Sequence, residues 1–290
     1  MTATIITKAM MEKTLRPTKV DRQLLAQYRR IMAAIAKRAK EIILAGLFKD
    51  ADTAEIKIQD KISFNDTSMA DELASIFDSI GHAFTLTVPR YSELIKEVFV
   101  KMDAVNRKKL SRALIERTGV DLTKILKEKS TQEQIQLAID QNISLINTML
   151  DRDLQNVKNK VYQQLRTGTF NTTELRDFIT AQTGKTKRHA DFIAQDQTHK
   201  FNASLTEIRH KQLDIVKYKW RNSGDRRVRG NPAGLYPNSK YNHWSREGKV
   251  YYYDRPPADG NPGQPIRCRC YAEPVLPEKF NDLLKGDQRG

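Results

Sequence analysis

The chain has 290 residues, enough for one large domain or two ordinary ones with a buried core. Hydrophobic residues make up 39% and charged residues 29%, a polar balance that suits long exposed helices better than a thick sheet core. The 50 Lys and Arg against 35 Asp and Glu leave a formal charge of +15, a field that attracts polyanions such as nucleic acid or an acidic protein surface. Two cysteines, Cys268 and Cys270, exclude a disulfide-built secreted scaffold and fit a reducing compartment.

Met1–Leu15 has neither a continuous apolar stretch nor a small-residue cleavage site, so no secretory signal is expected there. No run approaches the roughly 20 apolar residues that span a bilayer, and a soluble protein is expected. The first helix is predicted over residues 18 to about 47. Leu24, Tyr28, Ile31, Ile35, Ala39 and Ile42 recur at spacings of three and four, after Pro17 and with Gly46 near the end. Arg22, Arg29, Arg30, Lys37 and Lys40 fall on its other faces. They read first as a solvated surface, with contact to DNA or a partner as the alternative.

Residues 50–66 read as a loop or short strand. Helices are expected at 69–80, 90–117 and 120–128, punctuated by Pro89 and Gly119. The most regular helix is predicted over 131–167. A capping box, Ser130 to Glu133, opens it and Gly168 closes it. Its apolar positions from Ile135 to Leu165 are spaced 4-4-3-4-4-3-4-4, an 11-residue repeat that an almost straight helix satisfies. At 1.5 Å per residue it would be about 55 Å long. Such a stripe must be covered, by the chain's own helices or by an oligomer formed through this helix.

A short helix follows, capped by Asn171 or Thr172 and ended by Gly184, and the basic turn-like stretch to Arg188 marks a domain boundary. A helical pattern then runs from His189 to about Val216. His189, His199 and His210 lie on it, off any i,i+4 pairing, and His82 stands alone. Beyond Lys217, Gly, Pro, Asn and aromatic residues dominate, with strands expected at 216–220, 249–253 and 270–274. The expected class is α+β: a mostly helical region over 1–185, a small α+β domain over 186–278, and a tail over 279–290.

The most informative residues lie in that last domain. In order they are Trp220, the turn Asp225-Arg-Arg-Val-Arg229, His243, Gly248, an aromatic strand, a Pro/Gly-rich segment and Cys268-Arg-Cys270. Asp225, His243, Cys268 and Cys270 make a candidate zinc set, since thiolate, imidazole and carboxylate are all zinc donors. The alternative is structural: small buried thiols and a His hydrogen-bonded to a carboxylate. The guanidinium groups of Arg226, Arg227 and Arg267 are candidates for binding phosphate or a protein partner, whereas Arg229 and Arg269 are expected to pair within the domain. Trp220, Tyr236, Tyr241, Trp244 and Tyr251–Tyr253 could stack on bases, although core packing explains most of them. There is no nucleophile motif, no phosphate loop and no paired carboxylates at fixed spacing, so no enzyme is expected.

Each element alone says little, but their order resembles the Mu F-like minor head protein family of tailed phages. The resemblance reaches back through Ile193-Ala194 and the long helix with Asn142 and Leu145-Ile146, covering roughly residues 130 to 278. One departure stands out: residues Gly230 to Asn242 intervene between the Arg-Val-Arg turn and His243, as a loop insertion. The resemblance implies a minor head protein of the virion, working in the host cytoplasm during procapsid assembly. Implied partners are the portal protein, the major capsid or scaffolding protein, and double-stranded DNA, with which it could be ejected, and no membrane. Two rival readings are a packaged DNA-processing enzyme or toxin-like module, and a zinc-dependent nucleic-acid-binding protein.

Overall fold

A computed structural model of the chain describes residues 18–48, 67–118 and 128–277. They form four α-helices followed by three strands, an α+β architecture. Helix α1 spans Arg22–Leu47, α2 Thr67–Thr118, α3 Glu128–Arg166 and α4 Thr172–Gln212. Strands β1 (Lys217–Arg221), β2 (Val250–Tyr252) and β3 (Tyr271–Val275) make one antiparallel sheet in the order β2-β1-β3. No described helix is long and apolar enough to cross a membrane. The expected loop at 50–66, all but the last residue of the helix expected at 120–128, and the tail at 279–290 lie outside the described residues.

Three expectations about the helices are corrected. The helices at 69–80 and 90–117 are one: α2 runs through Pro89. A proline inside a helix removes one hydrogen bond and costs about 3 kcal/mol. Phe84, Val88, Ile95 and Val98 keep one buried face in register across it, and burying such side chains contributes about 1.5–3 kcal/mol each. Likewise Gly184 does not end a helix but sits inside α4, so the segments around it are continuous. Finally, α3 begins at Glu128, which puts Ser130 within the helix instead of at its cap.

The described residues divide into two compact units. One comprises 25–48, 67–98 and 139–195; the other comprises 18–24, 99–118, 128–138 and 196–277.

In the first unit the apolar stripes of the helices form the core. Tyr28, Ile31, Ile35, Ala39 and Ile42 of α1 are buried, as are Ile146, Leu150, Leu154, Val157 and Val161 of α3. The rings of Phe77 and Tyr162 lie 6.4 Å apart. Two buried polar contacts fix the register. The Tyr28 hydroxyl donates to Asn142 Oδ1. Asp153 accepts from Gln182 Nε2 at 3.0 Å and from the Thr186 hydroxyl, two residues that flank Gly184. Those bonds hold α4 helical where its intrinsic propensity is weakest. Asn171 caps α4, its Oδ1 accepting the Glu174 amide at 2.9 Å.

In the second unit Phe99 meets Phe201 edge to face at 4.7 Å. Arg209 is buried and donates to both Asp103 and Asn106. Asn106 in turn donates to Thr206 at 3.0 Å, which shares a 2.7 Å bond with Thr18. Leu110, Ala113 and Leu114 pack with Leu213, Ile215 and Leu276. Helix α4 ends where the Ile215 amide bonds back to the His210 carbonyl at 2.8 Å, with Asp214 at φ 57° in the left-handed cap position. The chain then enters β1 directly.

Candidate functional site

Strand β1 is the centre of the sheet, and its alternation puts Tyr218 and Trp220 on one buried face. They pack with Tyr253, Cys268, Cys270 and Ala272. The sheet therefore buries both cysteines and the tryptophan together, although about 50 residues separate them in sequence.

Beyond β1 the chain turns at Asp225. Its carboxylate accepts the Arg227 amide at 2.8 Å and its carbonyl accepts the Val228 amide at 3.1 Å. The insertion 230–242 is closed at its base, where the Trp244 amide donates to the Arg229 carbonyl at 2.9 Å. Within it, the Leu235 amide bonds back to the Arg226 carbonyl at 2.6 Å. The insertion thus leaves His243 beside the turn that precedes it, and delivers its ring into the domain interior.

His243 is 2% exposed, Cys268 4% and Cys270 6%. His243 Nδ1 lies 3.6 Å from each sulfur. Its Nε2 lies 2.7 Å from Asp259 Oδ2. The edge of Trp220 packs against the imidazole, centroids 5.1 Å apart, and the Arg246 guanidinium lies over the indole at 4.8 Å. Among the described residues these two cysteines and His243 form the one group with metal-ligand spacing.

Of the four residues expected as ligands, three are together and Asp225 is elsewhere. Its carboxylate is taken by Arg269 and by the Arg227 amide. The carboxylate that serves His243 is Asp259, which also accepts from Arg246 at 2.7 Å and lies 3.9 Å from Arg229. Burial alone pushes Asp259 up, and the bonds from His243 and Arg246 outweigh it, so the carboxyl sits below its usual value. The position of Asp259 among prolines and glycines 16 residues after His243 carries no periodic signal.

The two thiols are made unequal by each other. A hydrogen bond from Cys270, outweighing burial, holds Cys268 well below the ordinary thiol range, helped by His243 and by the Gly263 amide at 3.4 Å. Donating that bond, together with burial, pushes Cys270 far up. Gly263 has φ 89°, and a Cβ there would come 2.7 Å from that of Ala203, so the Pro/Gly segment can lie on α4 only with glycine at this point.

The same segment orients the arginines. Arg267 sits at φ 58°, with its amide donating to Asp196 Oδ1 of α4 at 2.6 Å and its side chain exposed. Arg226 and Arg227 are exposed as well. Arg229 donates to the Ile266 carbonyl at 2.6 Å, and Arg269 pairs with Asp225. Arg221 links Glu273 and Glu247. Trp220, Tyr218 and Tyr253 are core, while Tyr236, Trp244 and Tyr252 are exposed.

Residues 155–273 match the family described as Phage Mu protein F like protein, a span inside the 130–278 expected from the residues themselves. A Haemophilus influenzae protein, described as uncharacterized, is 31% identical over 270 residues, covering 88% of this chain and 52% of its own length. The chain therefore spans about half of that relative. No solved structure matches. The segment that carries Trp220, His243 and Cys268-Arg-Cys270 is the one that matches the Phage Mu protein F like family.

Proposed function

We propose that this protein is a minor head component of a tailed phage, acting in head morphogenesis by binding and not by catalysis. The family match over 155–273 supports the head assignment. One observation supports the mode of action. The carboxylates of the C-terminal domain are turned onto its own arginines: Asp225 onto Arg269, Asp259 onto Arg246, and Glu273 onto Arg221. The side chains of Arg226 and Arg227 face solvent. Internal pairing thus leaves an outward positive face, to which phosphate or a carboxylate-rich portal or capsid surface is complementary.

The enzyme reading has a specific observation in its favour, because Cys268, His243 and Asp259 stand in the order of nucleophile, base and orienting acid. Burial favours the binding reading: His243, Cys268 and Cys270 are only 2–6% exposed. The test is expression with the remaining head proteins, followed by isolation of procapsids. Co-sedimentation at fewer copies than the major capsid protein supports the proposal, and absence from heads overturns it. Hydrolysis of DNA in magnesium or manganese that His243→Ala abolishes would overturn the non-catalytic part.

A further inference from the structure

We infer that His243, Cys268 and Cys270 hold a zinc ion that closes the C-terminal domain. Four features of the geometry carry it, and none depends on whether the chain enters a phage head. First, one nitrogen faces two sulfurs at the same distance, 3.6 Å to each. A single hydrogen bond from the imidazole can serve only one of the two sulfurs, although both stand equally close to Nδ1. A shared cation satisfies all three atoms. With Zn–S about 2.3 Å and Zn–N about 2.0–2.1 Å, tetrahedral ligation sets nitrogen and sulfur about 3.5 Å apart.

Second, the other ring nitrogen is fixed by Asp259 at 2.7 Å, and Asp259 is itself held by Arg246. A carboxylate behind a ligating imidazole is the usual outer arrangement of a zinc site, where it sets the ring's orientation. Third, the sulfurs are supplied with donors suited to thiolates. The Gly263 amide points at Cys268 Sγ, and the buried Trp220 indole N–H, packed in the same cluster, is turned to Cys270. Fourth, the donor set is two sulfurs and an imidazole, which selects zinc over magnesium or calcium. Three protein ligands leave one position for a solvent oxygen.

The ion has a structural task. His243 lies at the end of the insertion, and Cys268 and Cys270 lie just before β3. A metal bridge between these segments would tie the insertion to the sheet, and its binding free energy would become folding free energy.

The experiment uses the full chain purified under reducing conditions without added metal. Elemental mass spectrometry should find one zinc per chain. Replacement by cobalt should give a thiolate-to-cobalt charge-transfer band and tetrahedral d–d bands. Cys268→Ser and Cys270→Ser should each lose the zinc. Because either variant could unfold, Asp259→Asn provides a second arm. It is not a ligand, and should keep the fold by circular dichroism while weakening zinc about 10–100-fold against a chromophoric chelator. The inference is overturned if the wild-type chain carries no zinc and takes up none after chelator treatment. It is equally overturned by a Cys268–Cys270 disulfide in the freshly purified chain, by zinc retained in both Cys→Ser variants, or by unchanged affinity in Asp259→Asn.

Discussion

His210 of α4 and Tyr253 after β2 share a 2.6 Å hydrogen bond, and both side chains are buried. The bond fastens the last turn of a helix to the start of the Pro/Gly segment, 43 residues further on. Burial pushes the His210 pKa down to about 3 and holds the Tyr253 hydroxyl well above its usual value, so both groups are neutral in the folded chain.

That neutrality predicts acid sensitivity. An unfolded histidine titrates near 6.5, so between pH 6.5 and about 3 the unfolded chain takes up a proton that the folded chain refuses. Stability contributed by neutral His210 is present above pH 6.5 and falls as pH drops, by up to about 1.4 kcal/mol per unit. Urea midpoints of the wild type and His210→Gln, compared at pH 7 and pH 5, should converge on the acid side. A difference that does not change with pH contradicts the assignment.

Arg209 is buried with Asp103 and Asn106 around it, and burial lowers its pKa without removing its charge. Arg209→Ala leaves Asp103 without its charge partner and is expected to cost about 3–5 kcal/mol. Arg209→Met with Asp103→Leu removes both charges and should recover much of that loss. Chemical denaturation of the three chains measures both effects, and a single variant as stable as the wild type would refute the buried pair.

The continuity of α2 and α4 can be tested by two substitutions that should stabilise. A Cβ at Gly184 would meet only an Arg188 nitrogen, 3.9 Å away. Gly184→Ala should then gain about 1 kcal/mol as a helix-interior change. If Gly184 instead ended the helix in a left-handed cap, alanine would destabilise. Pro89→Ala restores an amide for the carbonyl one turn back and should gain up to about 3 kcal/mol. Thermal melts give the sign in each case.

The outward arginines predict a salt signature. If Arg226 and Arg227 each neutralise a phosphate, replacing both by alanine should lower the slope of log affinity for duplex DNA against log salt by about 1.8. Fluorescence anisotropy across a salt series measures it. An unchanged slope would assign these side chains to a protein surface.

Much of this protein was legible without coordinates, because the responsible signals are local. The periodic apolar stripes of α1 and α3 report burial directly, and Asn171 marks a helix start through a contact three residues long. The three strands fall within a residue or two of the β-rich segments, and the ordered series from Trp220 to Cys270 lies inside the segment that matches the family. Local signals misled where distant partners overrode them. Pro89 and Gly184 look like helix ends, yet buried neighbours in register across Pro89, and Asp153 bonding on both sides of Gly184, keep the helices whole. The site shows the same division. His243, Cys268 and Cys270 could be named as donors from residue type, but only the tertiary structure shows one nitrogen facing two sulfurs. It also gives Asp225 to Arg269 and hands the imidazole to Asp259. Charge pairing is decided by distance in space, and no periodicity along the chain records it.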